Sequence, residues 1–244
     1  MIKGLFHPGS GLGNQLHRYV GTKIIALEDG EGHTMIGQEF FKGKDTFDLD
    51  LLSEDIEYTV EYPAGRVVPE SYEGVIDGEF QAEKDFYPHI DQIKEWLRTE
   101  PVYDPYEESE HPHAPICVIN FRGGEYVGVP DLFLPQEYWD KAIEMMLDND
   151  PEIEFLVVTD DPIAAREFFP DFDISHDEND WRMIRDADAL ILSNSSFAIL
   201  PAYLNENDPY IIAPKYWARY NTKEWINPDN ATYSKFTYIH HEQD

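Results

Sequence analysis

The chain has 244 residues, with 18 Lys and Arg against 49 Asp and Glu, a net charge of −31. A surface that acidic repels nucleic acid and anionic membranes, so neither is an expected partner. Any anionic ligand has to be held by local positive groups. A hydrophobic content of 42% supports a packed core and excludes wholesale disorder. The length fits one large α/β unit or two small ones.

The single cysteine, Cys117, rules out an intrachain disulfide and fits a reducing compartment. Between Ile116 and Val118 it reads as a core residue, not a nucleophile. No stretch reaches the length of a membrane helix, and residues 1–6 are too short for a signal peptide. The expected setting is cytoplasmic, with no transmembrane segment.

Residues 1–6 are an apolar run that stops at His7-Pro8-Gly9, a strand feeding a glycine-rich turn. Residues 16–27 have helical spacing, with Leu16, Tyr19, Val20, Ile24 and Leu27 on one face. Strand, glycine loop and helix in that order open many nucleotide-binding α/β folds. Short strands are expected at 33–36 and 57–60, and a helix at 87–97. Residues 100–115 carry Pro101, Pro105, Pro112 and Pro115 among acids and read as a linker.

Beyond the linker the pattern alternates. Strands are expected at 116–121, 155–158, 172–175, 189–192 and, as the last, 210–213. Helices are expected at 135–147, 162–169, 181–186 and 197–204. Alternation of this kind implies βαβ units and a parallel sheet. The expected architecture is α/β: two Rossmann-like domains, at 1–105 and 106–244, with a ligand cleft between them.

Candidate chemistry gathers at the ends of predicted strands, where ligands collect in open α/β sheets. Gly9-Ser-Gly-Leu-Gly-Asn-Gln15 offers backbone N–H groups at the mouth of a helix, a geometry that receives phosphate. Its glycine spacing matches neither the dinucleotide fingerprint nor a Walker loop. Asn120-Phe-Arg-Gly-Gly-Glu-Tyr126 places an arginine, whose planar fork suits a pyrophosphate, after a buried strand. Ser193-Asn-Ser-Ser-Phe197 joins hydroxyls to a helix N-terminus. Thr159-Asp-Asp161 offers carboxylates to a metal, a guanine or ribose edge, or the next helix. The plain counterparts are a connector, an ion pair with one of the 49 acids, and ordinary N-caps. The nine histidines show no zinc-like spacing.

In order and wording these segments resemble the α-1,2-fucosyltransferase family (glycosyltransferase family 11) and, more distantly, the α-1,6- and protein O-fucosyltransferases. Gly11-Leu-Gly-Asn-Gln-Leu16 is similar to the family's Gly-Gly-Leu-Gly-Asn-Gln-Leu. Asp77-Gly-Glu-Phe-Gln-Ala-Glu-Lys-Asp-Phe86 looks like its Gly-Tyr-Phe-Gln-Ser-Glu-Lys-Tyr-Phe, and Asn120–Tyr126 like its His-x-Arg-x-Gly-Asp-Tyr. Val158-Thr-Asp-Asp161 looks like its Ser-Asp-Asp, Asn194-Ser-Ser-Phe197 like its Asn-Ser-Ser-Phe, and Ile212-Ala-Pro-Lys-Tyr-Trp217 like its Ala-Pro-Lys-x-Trp. Asn120 stands at the motif histidine, Gly123 at a second arginine and Glu125 at an aspartate. Ile199-Leu200 replaces a frequent Trp-Trp.

The resemblance implies a GT-B-like fold and inverting, metal-independent transfer of fucose from GDP-fucose to a glycan hydroxyl, with the GDP-sugar as substrate and no cofactor. By position, Arg122 would hold the pyrophosphate, with Asn194, Ser195, Ser196 and Phe197 completing the phosphate site. Asp160 would meet guanine or ribose, and Asn120 would join the donor set. Gly11, Gly13 and Asn14 would close over the donor from the other half. A base would come from Glu125, Asp131 or His17, beside Arg122 in the catalytic set. A donor such as GDP-mannose, a non-catalytic nucleotide- or glycan-binding chain, and a metal-dependent transferase remain alternatives.

A charge of −31 also makes a prediction about stability, since acidity of this degree suits a saline setting. The Debye length falls from about 30 Å at 0.01 M to about 3 Å at 1 M salt. The melting temperature is therefore expected to rise as sodium chloride is raised over that range. A flat or falling series by differential scanning calorimetry would show that self-repulsion is not limiting.

Overall fold

A computed structural model describes residues 1–52, 56–99, 114–177, 179–218 and 232–240. The chain divides into two units, Met1–Thr99 and Glu100–Asp244. The expected linker falls almost wholly on residues 100–113, outside the described residues, as does the expected boundary after residue 105.

In the first unit, β1 (Ile2–Leu5) runs into α1 (Leu12–Asp29) and returns as β2 (His33–Ile36), parallel to β1. Lys3 also bonds through its backbone to Gly74 and Ile76, which sets a short parallel bridge at Val75 on the other side of β1. An antiparallel hairpin, β3 (Tyr58–Glu61) and β4 (Arg66–Pro69), packs Val67 against Leu5 and Ile36.

Three expectations change here. Helix α1 starts at Leu12, so Gly13 and Asn14 lie in its first turn and only residues up to Gly11 form the loop. Its buried stripe ends on Ala26, and Leu27 is 53% exposed. The helix expected at 87–97 is preceded by a separate turn of helix, α2 (Glu83–Phe86), opens as a 3-10 turn over Tyr87–His89, and is α-helical only as α3 (Ile90–Trp96). Pro88 is the reason: it has no N–H to donate and its ring crowds the preceding turn.

One carboxylate ties the first unit together. Asp77 accepts from Arg18 of α1 (2.6 Å) and from Arg66 of β4 (2.6 Å), and lies 3.5 Å from His7 Nε2 beyond β1. The other end of Arg18 bonds Glu79. His7 in turn accepts at Nδ1 from the Val67 N–H, 3.0 Å away.

In the second unit, six strands form one parallel sheet: β5 (Ile116–Phe121), β6 (Glu154–Thr159), β7 (Asp173–Ser175), β8 (Ala189–Leu192), β9 (Tyr210–Pro214) and β10 (Thr237–Ile239). Their spatial order is β10-β9-β8-β5-β6-β7. The strand β10 lies beyond the one expected to be last. Helices α4 (Gln136–Asn149) and α5 (Pro162–Phe168) cover one face, packing Trp139, Ala142 and Ala165 on Cys117, Ile119 and Phe121. On the other face, α6 (Asp180–Asp186) and α7 (Ile199–Leu204) pack Ile184 and Ala202 on Val118, Leu190 and Leu192. The helix expected from Phe197 starts as a 3-10 turn at Ser196–Ala198 before α7. Because both faces are covered, β5 and β8 are apolar almost throughout.

Read from β7 to β10, the strands appear in the order 3-2-1-4-5-6 of a doubly wound fold. Its switch point lies between β5 and β8, and ligands of such sheets bind there.

Burial alone would raise the Asp77 carboxyl, but the Arg18 and Arg66 hydrogen bonds more than offset it and hold the group at about 2. A carboxyl depressed in the fold stabilises it above the unfolded value of 3.8 and loses that contribution as pH falls through about 2. Asp77→Asn should therefore cost about 1–2 kcal/mol near neutral pH, allowing for solvent screening of this partly exposed group. Urea titrations should show the gap to the unsubstituted chain narrowing as pH drops below 4. A gap independent of pH would refute the linkage.

Candidate functional site

The ends of β5, β6 and β8 lie side by side, with Phe121 paired to Thr159 and Asn120 to Leu192. Phe121 is clamped by Phe133, Trp139, Phe168 and Phe169. The chain leaving it is thereby fixed before it turns. The turn itself is built on Asp160: one carboxylate oxygen accepts from the Gly123 N–H (2.9 Å) and the other pairs with Arg122. Arg122 also bonds Glu125 at 2.6 Å, and its guanidinium carbon lies 5.3 Å from the Tyr126 ring centre. The fork expected to meet a pyrophosphate is thus held between two carboxylates, the ion pair its acid-rich chain foreshadowed.

The two glycines of this turn are sterically required. A Cβ on Gly123 would lie 2.5 Å from Asp161 Cβ, and one on Gly124, at φ +39°, 2.5 Å from Asp160 Oδ2. The family's second arginine has no room at Gly123. Of the two strand-end acids, Asp161 caps α5 by accepting from the Ala164 N–H (3.0 Å), while Asp160 serves the turn.

Across the switch point, the Ser193 hydroxyl donates to Asn120 Oδ1 at 2.9 Å and the Ser193 N–H to the Asn120 carbonyl at 3.0 Å. Asn120 is buried and joins β5 to β8. Asn194 is buried too, and its amide donates to the carbonyls of Leu132 (2.8 Å) and Trp217 (2.6 Å). Its Oδ1 is buried without a hydrogen-bond partner among the described residues. The bond to Leu132 draws the segment carrying the half-buried Asp131 to the end of β8. Ser195 caps the following turn, its Oγ accepting from the Phe197 N–H (3.3 Å), so that amide already has a partner. Ser196 is half-buried at the head of the turn, and Phe197 packs on the Val118 and Leu190 core.

In the first unit, the Gly9 N–H donates to Gly65 O (3.1 Å) and the Ser10 N–H to His7 O (3.0 Å), so neither is open to phosphate. Gly9 is needed for a different reason: a Cβ there would lie 2.6 Å from the Ala64 carbonyl. Gly11 is the N-cap of α1, and the first turn, with Gly13 and Asn14, holds no acid. That leaves the positive end of an 18-residue helix uncompensated by its own sequence. Asn14 accepts from the Gln81 amide at 3.0 Å.

His17 is misplaced as a base. It is fully buried, its Nδ1 lies 3.1 Å from the Phe80 carbonyl, and it packs edge-on against Phe86. Burial pushes its pKa down to about 4, and no acceptor hydroxyl reaches it. Helical spacing put it beside Leu16 on the inward side, a signal outweighed by its polarity.

One group at this sheet edge carries no motif. His176, just past β7, lies 2.6 Å from the Thr159 carbonyl through Nδ1. A carbonyl only accepts, so Nδ1 bears the proton and Nε2 keeps the lone pair in the neutral ring. Its place directly after a strand is the only clue the sequence holds. Among the described residues, no three His, Cys, Asp or Glu side chains are grouped to hold a metal ion.

Gly124→Ala should cost about 1–3 kcal/mol, because it strains a positive φ and drives a methyl into Asp160. Gly128→Ala, where a Cβ meets nothing within 4 Å, should change stability by less than about 0.5 kcal/mol. Equal denaturation midpoints for the two variants would contradict this account of the turn.

No family model matches the chain, and no curated protein sequence does. Among solved structures it is similar to the E. coli heptosyltransferase WaaC with ADP, at a TM-score of 0.52 and 12% identity, over 99% of this chain and 94% of that one. It also aligns with the NodZ α-1,6-fucosyltransferase co-crystallized with GDP, at a TM-score of 0.38 and 10% identity, over 83% and 90% of the two chains. The second adds nothing to the fold assignment. The first makes the fold that of the GT-B glycosyltransferases.

Proposed function

We propose that the chain is a glycosyltransferase that moves a sugar, fucose in the preferred reading, from a GDP-sugar to a glycan hydroxyl with inversion and without a metal. The observation that carries this is the switch point of the second unit, which sets Arg122 and Asn194–Phe197 on adjoining strand ends of a doubly wound sheet. The heptosyltransferase that shares the fold is described with ADP, which supports a nucleoside diphosphate as the leaving group. The motif wording, from Gly11 to Trp217, supports GDP-fucose.

In this reading Arg122 stabilises the diphosphate as the anomeric carbon–oxygen bond breaks and the acceptor hydroxyl attacks from the opposite face. Glu125 must then yield the guanidinium to the phosphate. It is the better placed to do so: its side chain is 69% exposed, against 30% for Asp160, which also holds Gly123. The Ser196 hydroxyl and the Ser195 side chain complete the phosphate site, with Asn120 and Asn194 shaping it from beneath. Asp160 orients Arg122 and borders the nucleoside. Glu125 and Asp131 remain the proton acceptors within this set.

Arg122→Ala should abolish GDP binding and transfer while costing under about 1 kcal/mol of stability, as expected for a partly exposed ion pair. Glu125→Gln separates two roles. If Glu125 only competes for Arg122, GDP binds up to about fivefold more tightly, the equivalent of about 1 kcal/mol. If Glu125 is the base, kcat falls with GDP affinity unchanged. Calorimetry with GDP, and donor hydrolysis over a panel of GDP-sugars, read both. An Arg122→Ala chain that still turns over would remove the arginine from the reaction.

A further inference from the structure

At one edge of the parallel sheet, the end of β7 carries a group that has no part in the reaction above. His176 follows Ser175 directly, and Ser175 pairs with Val158 of β6, which sets His176 opposite Thr159. The bond from Nδ1 to the Thr159 carbonyl, 2.6 Å long, ties the imidazole to the end of β6. Thr159 is itself fixed: it is buried, and its Oγ1 accepts from the Asp161 N–H at 2.9 Å.

The acids beside His176 are engaged within their own loop. Asp177 accepts from the Asn179 N–H (2.6 Å), and the buried Asp180 from the Ser175 hydroxyl (2.7 Å). Nε2 of His176 makes no hydrogen bond among the described residues, and the residue is exposed. A tethered ring whose tautomer is set by a carbonyl is a directional acceptor, in place before any ligand arrives.

Its position points to a ligand. In a doubly wound sheet each three-strand half takes one mononucleotide, with the phosphates at the turn after its first strand. Here that strand is β5, whose turn presents Arg122, and the second and third are β6 and β7. A nucleoside attached to a diphosphate at Arg122 then extends over the ends of β6 and β7. Neighbouring strands lie about 4.8 Å apart, so β7 is about 10 Å from β5. Asp160 stands at the first step, on the ribose side, and His176 at the second, where the base falls.

An acceptor at that place selects by chemistry. Guanine carries N–H donors at N1 and N2 on one edge, where adenine carries a bare N1 lone pair. Guanine can donate to Nε2, whereas adenine in the same pose sets lone pair against lone pair.

We propose that His176 reads the nucleobase of the donor, its Nε2 accepting an N–H from the edge of guanine and so discriminating against adenine. The inference rests on the reading of the second unit as the site of a GDP-sugar, and adds the residue that tells this nucleotide from its adenine counterpart.

Calorimetry of the full chain with GDP and with ADP at pH 8 tests it. His176→Asn keeps an amide at the position of Nδ1, so the Thr159 bond survives while the Nε2 acceptor is gone. His176→Gln keeps an acceptor oxygen near the position of Nε2. The unsubstituted chain should bind GDP at least about fivefold more tightly than ADP, as one neutral hydrogen bond gives. In His176→Asn that preference should vanish through loss of GDP affinity alone, with ADP affinity and melting temperature unchanged. In His176→Gln most of it should return.

A preference for GDP that survives in His176→Asn overturns the proposal and leaves the GDP-sugar reading intact. Equal loss of GDP and ADP affinity moves the contact to ribose or phosphate and overturns it too, as does an unsubstituted chain that prefers ADP. A His176→Gln chain no better than His176→Asn refutes the acceptor role. A chain that binds neither nucleotide sinks the transferase reading and this inference with it.

Discussion

The turn that presents Arg122 depends on a single carboxylate. Asp160, at the end of β6, reaches across to the end of β5, takes the Gly123 N–H with one oxygen and the Arg122 guanidinium with the other. Two neighbouring strands of a parallel sheet thus fix the direction of the Arg122 guanidinium at their junction. A Cβ on either glycine would break that contact. The turn is specified by what cannot be there as much as by what bonds within it.

The same device recurs in the first unit, where Asp77 gathers Arg18, Arg66 and His7 from three elements. In a chain with 49 acids and 18 bases, a folded cation meets a carboxylate almost by default. Such pairs orient side chains more than they stabilise, since each ion gives up solvation to form them. An arginine already aligned by one carboxylate needs less ordering to meet a phosphate, but the phosphate has to outcompete a second one.

Much of this was legible in the residues. The alternation beyond residue 116 gives the parallel sheet because strands buried on both faces must be apolar runs, and 116–121 and 189–192 are. The spatial order of the strands, and with it the switch point, came only from the folded sheet. What escaped was set by contacts distant in sequence. Gly9 reads as a phosphate glycine, yet it is required by the Ala64 carbonyl, more than fifty residues on. His17 reads as a base, yet its neighbours Phe80 and Phe86 make it core. The motif's Gln15 is structural as well: buried, it bonds the backbone at Phe40 and Lys42 and so fastens the head of α1. The strand β10 is three residues long and carries little pattern of its own, and Pro88 broke a helix whose apolar spacing ran straight through.

The departures from the fucosyltransferase wording are mutually consistent. At the switch point the buried position at the end of β5 is Asn120, an uncharged group satisfied by Ser193, where the family has a histidine. A protonated imidazole there would have to sit under Arg122, and Asp160 and Glu125 already neutralise that arginine. Gly123, in place of a second arginine, lets the turn pass within contact of Asp161, which is committed to capping α5. Each change removes a cation and leaves the local packing closed. In the proposed reading, a donor at this edge meets one guanidinium among the described residues, together with backbone amides and hydroxyls. Its affinity is then set by how readily Glu125 lets go, and added salt, which screens that exposed pair and the phosphate alike, should shift the balance less than the net charge suggests.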